Sequence, residues 1–185
     1  MGSNLQHPDR KPGQTSSTQD DTHSNAYERM LQRTRDLLES ATQELKPSFG
    51  KALDEAREQA SRLGELTREE AETVAEYLRR DIHDAAEYLA DQGGDLRDWL
   101  RFDIQLVEDR ILDAFALAAD TTKLELQRLA ERAREIGEWH TGEITGPGTL
   151  VCKACEEELH FHKTGRIPPC PKCKATRYRR GEHTE

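Results

Sequence analysis

Cys152-Lys-Ala-Cys155-Glu-Glu-Glu-Leu-His-Phe-His-Lys-Thr-Gly-Arg-Ile-Pro-Pro-Cys170-Pro-Lys-Cys173 is the stretch on which the reading of this chain turns. Its four cysteines are the only ones in 185 residues, and they fall in two pairs, each with a two-residue gap. That gap lets both sulfurs of a pair converge on one ion from a tight turn. Two such pairs complete the tetrahedral all-sulfur shell that zinc prefers. The fourteen residues between the pairs sit just under the usual ribbon spacing. A metal can tie together a segment too short to hold itself by burying apolar surface. Residues 149–185 are therefore expected to form a zinc ribbon, with one structural Zn²⁺ on Cys152, Cys155, Cys170 and Cys173.

Other uses of four cysteines fit less well. A disulfide framework calls for an oxidising compartment, and the chain shows no apolar leader that would send it there. A thioredoxin-like pair needs a βαβ pattern beside it, which is missing. An iron-based four-thiolate site shares the spacing and stays open beside zinc. His160 and His162 would over-fill a shell that the cysteines already complete, so they are expected at the surface or behind the ligands.

Three short strands are expected around the metal, at Thr149–Cys152, Leu159–His162 and Thr176–Arg179. Phe161 shares a face with Leu159, and Tyr178 opposes Arg177 and Arg179. Both aromatics thus read as a miniature core rather than as a base-stacking platform. Lys163, Lys174, Arg177, Arg179 and Arg180 are left over as a small outward basic surface. Upstream, residues 138–148 are rich in Gly and Pro and read as a connector that docks against the ribbon or a helix end.

Residues 25–137 carry apolar side chains three or four apart, the signature of helices. Met30, Leu31, Leu37, Leu38, Ala41 and Leu45 mark a first helix that stops before Pro47. Leu53, Ala56, Ala60 and Leu63 mark a second, closed by Gly64. Thr67-Arg-Glu-Glu70 is a capping box that opens a third, with Val74, Tyr77, Leu78, Ile82, Ala85 and Leu89 on one face. Gly93-Gly94-Asp95 ends it and starts a long fourth helix, predicted over 96–136. The stripe of that helix runs from Leu100, Ile104, Val107, Ile111, Phe115 and Ala118 through Leu126, Leu129, Ala133 and Ile136. Trp99, Phe102, Leu106, Leu117 and Leu124 widen it, so more than one partner should pack on it. The expected architecture is mainly α: an elongated antiparallel helical bundle or hairpin with a small C-terminal β zinc ribbon. Residues 1–24 are polar, with Leu5 the only large apolar side chain, and are expected to be disordered.

Charge narrows the functions further. Residues 1–141 hold 19 basic and 30 acidic side chains, whereas residues 142–185 hold 8 and 6. An acidic helical part argues against bulk nucleic-acid binding, which rests on Lys and Arg. The ribbon's surplus has a local explanation: four thiolates on Zn²⁺ leave a net negative charge that Lys153, Lys172, Lys174 and Arg177 would offset. The longest apolar run, 114–119, is far short of the roughly 20 residues needed to span a bilayer. The cytoplasm is the expected compartment and no membrane contact is expected. No phosphate loop or nucleophile motif stands in the sequence, the helical region has a single histidine, His83, and no Glu-x-x-His pair, and a closed thiolate shell leaves no room for an activated water. No enzyme activity is expected.

Gly64-Glu-Leu-Thr-Arg68, His140-Thr-Gly-Glu-Ile with Gly146 and Gly148, Leu150-Val-Cys152, and Cys170-Pro-Lys-Cys173 followed by Arg179-Arg180 together resemble a known group. It is the family of small bacterial zinc-ribbon-containing proteins typified by YbeL, and the likeness covers most of the chain after residue 25. The resemblance implies an N-terminal helical domain, a C-terminal ribbon with zinc on the four cysteines, and no known activity. This chain departs from the usual ribbon pattern at Glu156 and Lys174, where Gly is common; a positive φ there would cost about 1 kcal/mol each. The expected role is a non-catalytic, zinc-binding interaction module with protein partners, self-association through the helices among them; nucleic acid is the less favoured partner. Loss of the metal is expected to unfold the ribbon and leave the helices intact.

Overall fold

The computed structural model describes residues 15–40, 47–91, 99–100, 107–129 and 138–181. Among the described residues, four helices, α1 (Thr15–Ser40), α2 (Phe49–Arg62), α3 (Arg68–Asp91) and α4 (Asp109–Leu129), precede six strands. The strands are β1 (Trp139–His140), β2 (Ile144–Thr145), β3 (Gly148–Cys152), β4 (Glu158–Phe161), β5 (Gly165–Arg166) and β6 (Arg177–Arg180). Each helix touches the other three, so the helical part is a bundle. The mainly α architecture with a small C-terminal ribbon is as the sequence predicts.

Local chemistry sets the helix ends. Ser48 caps α2, its hydroxyl accepting from the Lys51 N–H at 3.2 Å. At the far end Gly64 takes φ +68°, the Gly64 N–H reaches the Ser61 carbonyl at 3.1 Å, and the Glu65 N–H reaches the Ala60 carbonyl at 3.1 Å. This is a Schellman closure, the stop that Gly64 predicts. The capping box is present as well. The Thr67 N–H donates to Glu70 Oε2 at 2.9 Å and the Glu70 N–H to Thr67 Oγ1 at 3.2 Å.

The bundle core runs through Tyr27, Met30, Leu31 and Leu38 of α1, Phe49, Leu53 and Ala56 of α2, Leu78, Ile82 and Ala85 of α3, and Ala114, Phe115 and Ala118 of α4. Leu63 is an exception to the predicted stripe. It is the C-cap residue and lies 66% exposed, because the turn into Gly64 carries it off the buried face.

Two expectations fail. The fourth helix is not one rod over 96–136. Trp99 and Leu100 are helical, but the chain bends at Val107, and α4 starts afresh with the Glu108 carbonyl accepting from Ile111 and Leu112 at 2.9 and 3.1 Å. Trp99 then stacks on Phe115 of α4 itself, at 5.2 Å between centroids, a contact that a straight helix would forbid over sixteen residues. The predicted disorder of residues 1–24 also fails in its second half, where α1 begins at Thr15. His23 accounts for part of this, lying 3.9 Å from Glu70 of α3 and 3.4 Å from Arg166 of β5. Residues 1–14, and the positions Ala41, Leu45, Gly93-Gly94-Asp95, Phe102, Ile104, Leu106, Ala133 and Ile136 read above, lie outside the described residues.

Four strands form an antiparallel sheet in the order β1-β6-β3-β4, and β2 pairs with β5. The three predicted strands are present within one residue. Added to them are β1, β2 and β5, and through β1 and β2 the predicted connector is built into both sheets. Short strands of two residues give too little alternation to be read from sequence.

Candidate metal centre

Cys152 closes β3 and Cys155 follows in the turn; Cys170 and Cys173 bracket a second turn before β6. The two turns are built alike. In the first, the Glu156 N–H reaches the Cys152 carbonyl at 2.9 Å and the Cys152 N–H reaches the Glu157 carbonyl at 2.9 Å. In the second, Lys174 and Ala175 play the same parts toward Cys170, again at 2.9 Å. Glu156 and Lys174 take φ +59° and +63°, so the residues that depart from glycine do sit in left-handed turns.

The four sulfurs lie within 4.8 Å of one another, and the pairs Cys152–Cys173 and Cys155–Cys170 approach to 3.6 Å. A tetrahedron with Zn–S bonds of about 2.3 Å has edges of about 3.8 Å, so the cluster is the right size for Zn²⁺. All four are free thiols. Cys170 and Cys152 are buried, Cys155 is partly so, and Cys173 is exposed. At Cys170 burial opposes ionisation, but the N–H groups of Cys173 and Lys172 outweigh it and draw the thiol down to about 6. Cys155 receives the Glu157 N–H, which favours its thiolate. The neighbouring sulfurs of Cys173, Cys170 and Cys152, with burial, nonetheless push its thiol up to about 12. A dication among the four sulfurs would favour the thiolate form of each.

Under the cysteines lies a small core of Trp139, Leu150, Cys152, Ile167, Cys170 and Tyr178, with Leu159 and Phe161 packed at its edge. Tyr178 is therefore core and Phe161 packs half-buried against it, each on the face its strand parity predicts. His160 and His162 stand outside the cysteine cluster, His160 on Thr149 Oγ1 at 2.9 Å. His140 faces Glu138 and Glu143 at 3.6 and 3.4 Å.

The expected basic surface needs correction at Arg180. It is 7% exposed, and its guanidinium lies between the rings of Trp99 and Trp139, 4.7 and 4.9 Å from their centroids. Its charge is met by Asp81 at 3.3 Å and Asp84 at 3.2 Å. Strand alternation explains this, since Arg180 lies two residues beyond the buried Tyr178 and shares its face. Among the other basic side chains, Lys153 pairs with Glu138, Lys172 with Glu157 at 3.4 Å and Arg179 with Glu156 at 3.8 Å.

Asp81, on α3, is the residue the sequence reading passed over. It is wholly buried, and its carboxylate accepts from Tyr27 Oη (2.9 Å), Trp139 Nε1 (2.8 Å), Thr145 Oγ1 (3.1 Å) and the Gly146 N–H (2.6 Å). Arg80 and Arg180 add charge at 3.4 and 3.3 Å. Burial works to raise its pKa, but the two guanidinium groups and the N–H donors prevail and hold it below the usual carboxylate value. Asp84, one turn on, accepts from Trp99 Nε1 at 2.8 Å, and burial lifts it to about 6. Arg80 reaches back to Glu143 and the Ile144 carbonyl, and Ile144 itself enters the bundle core. Gly146 and Gly148 make the approach feasible. A Cβ at Gly146 would sit 2.8 Å from Tyr27 Oη and 3.0 Å from Phe115, and one at Gly148 (φ +144°) would overlap Arg180 Nη1. A sequence signal for Asp81 did exist: a carboxylate flanked by Leu78, Ile82 and Ala85 within an apolar helix face.

A helical bundle clamped to a four-thiol double-knuckle sheet defines the class: a zinc-ribbon protein with an attached helical domain. The family described as "Zinc-ribbon containing domain" matches residues 14–182, and the chain belongs to it. The chain is similar to the uncharacterized protein YbeL of Escherichia coli, in three strains, at 27% identity over 77 residues. That alignment covers 42% of this chain and 48% of the relative, about half the relative's length. No solved structure matches it.

Proposed function

We propose that this chain is a non-catalytic interaction module of the cytoplasm, in which a single structural Zn²⁺ stiffens a ribbon carried on an acidic helical bundle. The observation that carries the reading is the closed sulfur shell. Four thiols within 4.8 Å satisfy a tetrahedral ion completely and leave it no position for water or substrate. The fold energy of so small a sheet is then largely metal-binding energy. Protein partners, a second copy among them, are favoured over nucleic acid because much of the ribbon's positive charge is spent internally. Arg180 is buried, and Lys153, Lys172 and Arg179 each face a glutamate.

Elemental analysis and thiol titration of protein purified without added zinc test the metal assignment; one zinc and four unoxidised thiols per chain are expected. Iron in its place would overturn it. Binding to single-stranded RNA and duplex DNA across a salt series tests the partner class. Steeply salt-dependent association, abolished by Arg177→Ala with Arg179→Ala, would overturn the preference for protein.

A further inference from the structure

Of the six groups that hold the Asp81 carboxylate, only Tyr27 and Arg80 belong to the bundle; Trp139, Thr145, Gly146 and Arg180 come from the ribbon. The strands β1 and β6, which carry Trp139 and Arg180, lie in one sheet with β3, which ends at Cys152. Tyr178 is paired in register with Cys152 on one side and Trp139 on the other, and Arg180 lies two residues along β6, opposite Leu150. Trp139, Tyr178, Cys152 and Cys170 share one small core. A path of packed and hydrogen-bonded groups therefore runs from the sulfurs to the middle of α3.

We infer that capture of the metal by the four cysteines is coupled to closure of the helical bundle, with Asp81 and Arg180 as the positioning residues that transmit it. The ribbon's core has six fully buried side chains, and two of these are ligands. Without a cation the strands lose their main tie. Asp81 then loses the four ribbon contacts and keeps two, and a carboxylate so poorly matched does not stay buried. The face of α1, α3 and α4 that carries Tyr27, Asp81, Asp84 and Phe115 opens to solvent or to a partner. Metal loss thus reaches the helices, against the expectation that it stops at the ribbon. Linkage requires the converse: docking on Asp81 tightens metal binding by the same factor.

The inference rests on the zinc assignment, so its test reads both. Zn²⁺ is titrated into the reduced, metal-free full chain. Thiol protection reports the cysteines, amide exchange reports α3, and the emission of Trp99 and Trp139, the only two tryptophans, reports the clamp. One equivalent is expected to protect the thiols, slow exchange across Val74–Ala86 and shift the emission with a common midpoint. Protected thiols with unchanged α3 exchange and emission would overturn the coupling and spare the zinc assignment. No zinc uptake by the cysteines would overturn both. In competition with a chelating dye, Asp81→Asn is expected to bind Zn²⁺ about 5- to 100-fold more weakly than the native chain. Thr145→Val, a milder change to the same carboxylate's partners, should weaken it less and in the same direction. Native affinity in Thr145→Val and in any folded Asp81→Asn would refute the inference.

Discussion

Replacing Asp81 by Asn keeps the shape of the side chain and removes its charge, which isolates what the buried carboxylate does. Oδ2 accepts from Tyr27, Thr145 and the Gly146 N–H, while Oδ1 accepts from Trp139 and faces the two arginines. With the new amide NH₂ placed at the Oδ2 side, the Tyr27 and Thr145 hydroxyls can rotate and accept. The Gly146 N–H cannot, and an orphaned buried donor costs about 1–3 kcal/mol. Arg80 and Arg180, each 7% exposed, also lose a counter-charge. Breaking a buried pair costs about 3–5 kcal/mol, and Asp84 and Glu143 retain part of the compensation. A net loss of about 3–5 kcal/mol is expected, a large share of the roughly 5–15 kcal/mol that holds a domain folded. For a chain of this size that is about 6–20 °C in Tm. Urea unfolding of the zinc-loaded protein, followed by tryptophan emission, measures it. Arg180→Met in the same series supplies a double-mutant cycle, in which a coupling above about 1.5 kcal/mol is expected. A loss below about 1 kcal/mol for Asp81→Asn, or additive single effects, would refute the view that this carboxylate clamps the ribbon to the bundle.

Asp84 gives a pH signature. Its folded pKa, lifted mainly by burial to about 6, exceeds the usual aspartate value, so the folded state holds a proton that the unfolded chain releases. Its contribution is full below about pH 4 and is lost as pH rises toward about 6. Asp84→Asn should therefore gain stability relative to the native chain between about pH 4 and 7; a difference flat with pH would contradict this. Glu156→Gly and Lys174→Gly relieve left-handed backbone at φ +59° and +63°, and each should stabilise the ribbon by about 0.5–1 kcal/mol in thermal unfolding. Destabilisation by both would show that those turns carry no strain. Gly146→Ala places a methyl against Tyr27 and Phe115 and is expected to cost about 1–3 kcal/mol, read from the urea midpoint, with a neutral result arguing against the tight docking described.

The sequence by itself determined whatever depends on neighbours along the chain. The two Cys-x-x-Cys turns, the Gly64 stop, the Thr67–Glu70 capping box and the apolar face of α3 are local patterns, because turn chemistry and a 3.6-residue period act over a few residues. Strand parity placed Phe161 and Tyr178 inward, and the same parity carried to Arg180 points it inward too. The tertiary structure decided what happens between segments. Trp99 and Phe115 read as one helix until the bend at Val107 folds them together. Asp81 reads as one more solvated acid until Trp139, Thr145, Gly146 and Arg180, 58 to 99 residues downstream, converge on it. Charge and polarity are visible in a sequence, but whether water or protein satisfies them depends on which distant strands arrive, and no local pattern encodes that arrival.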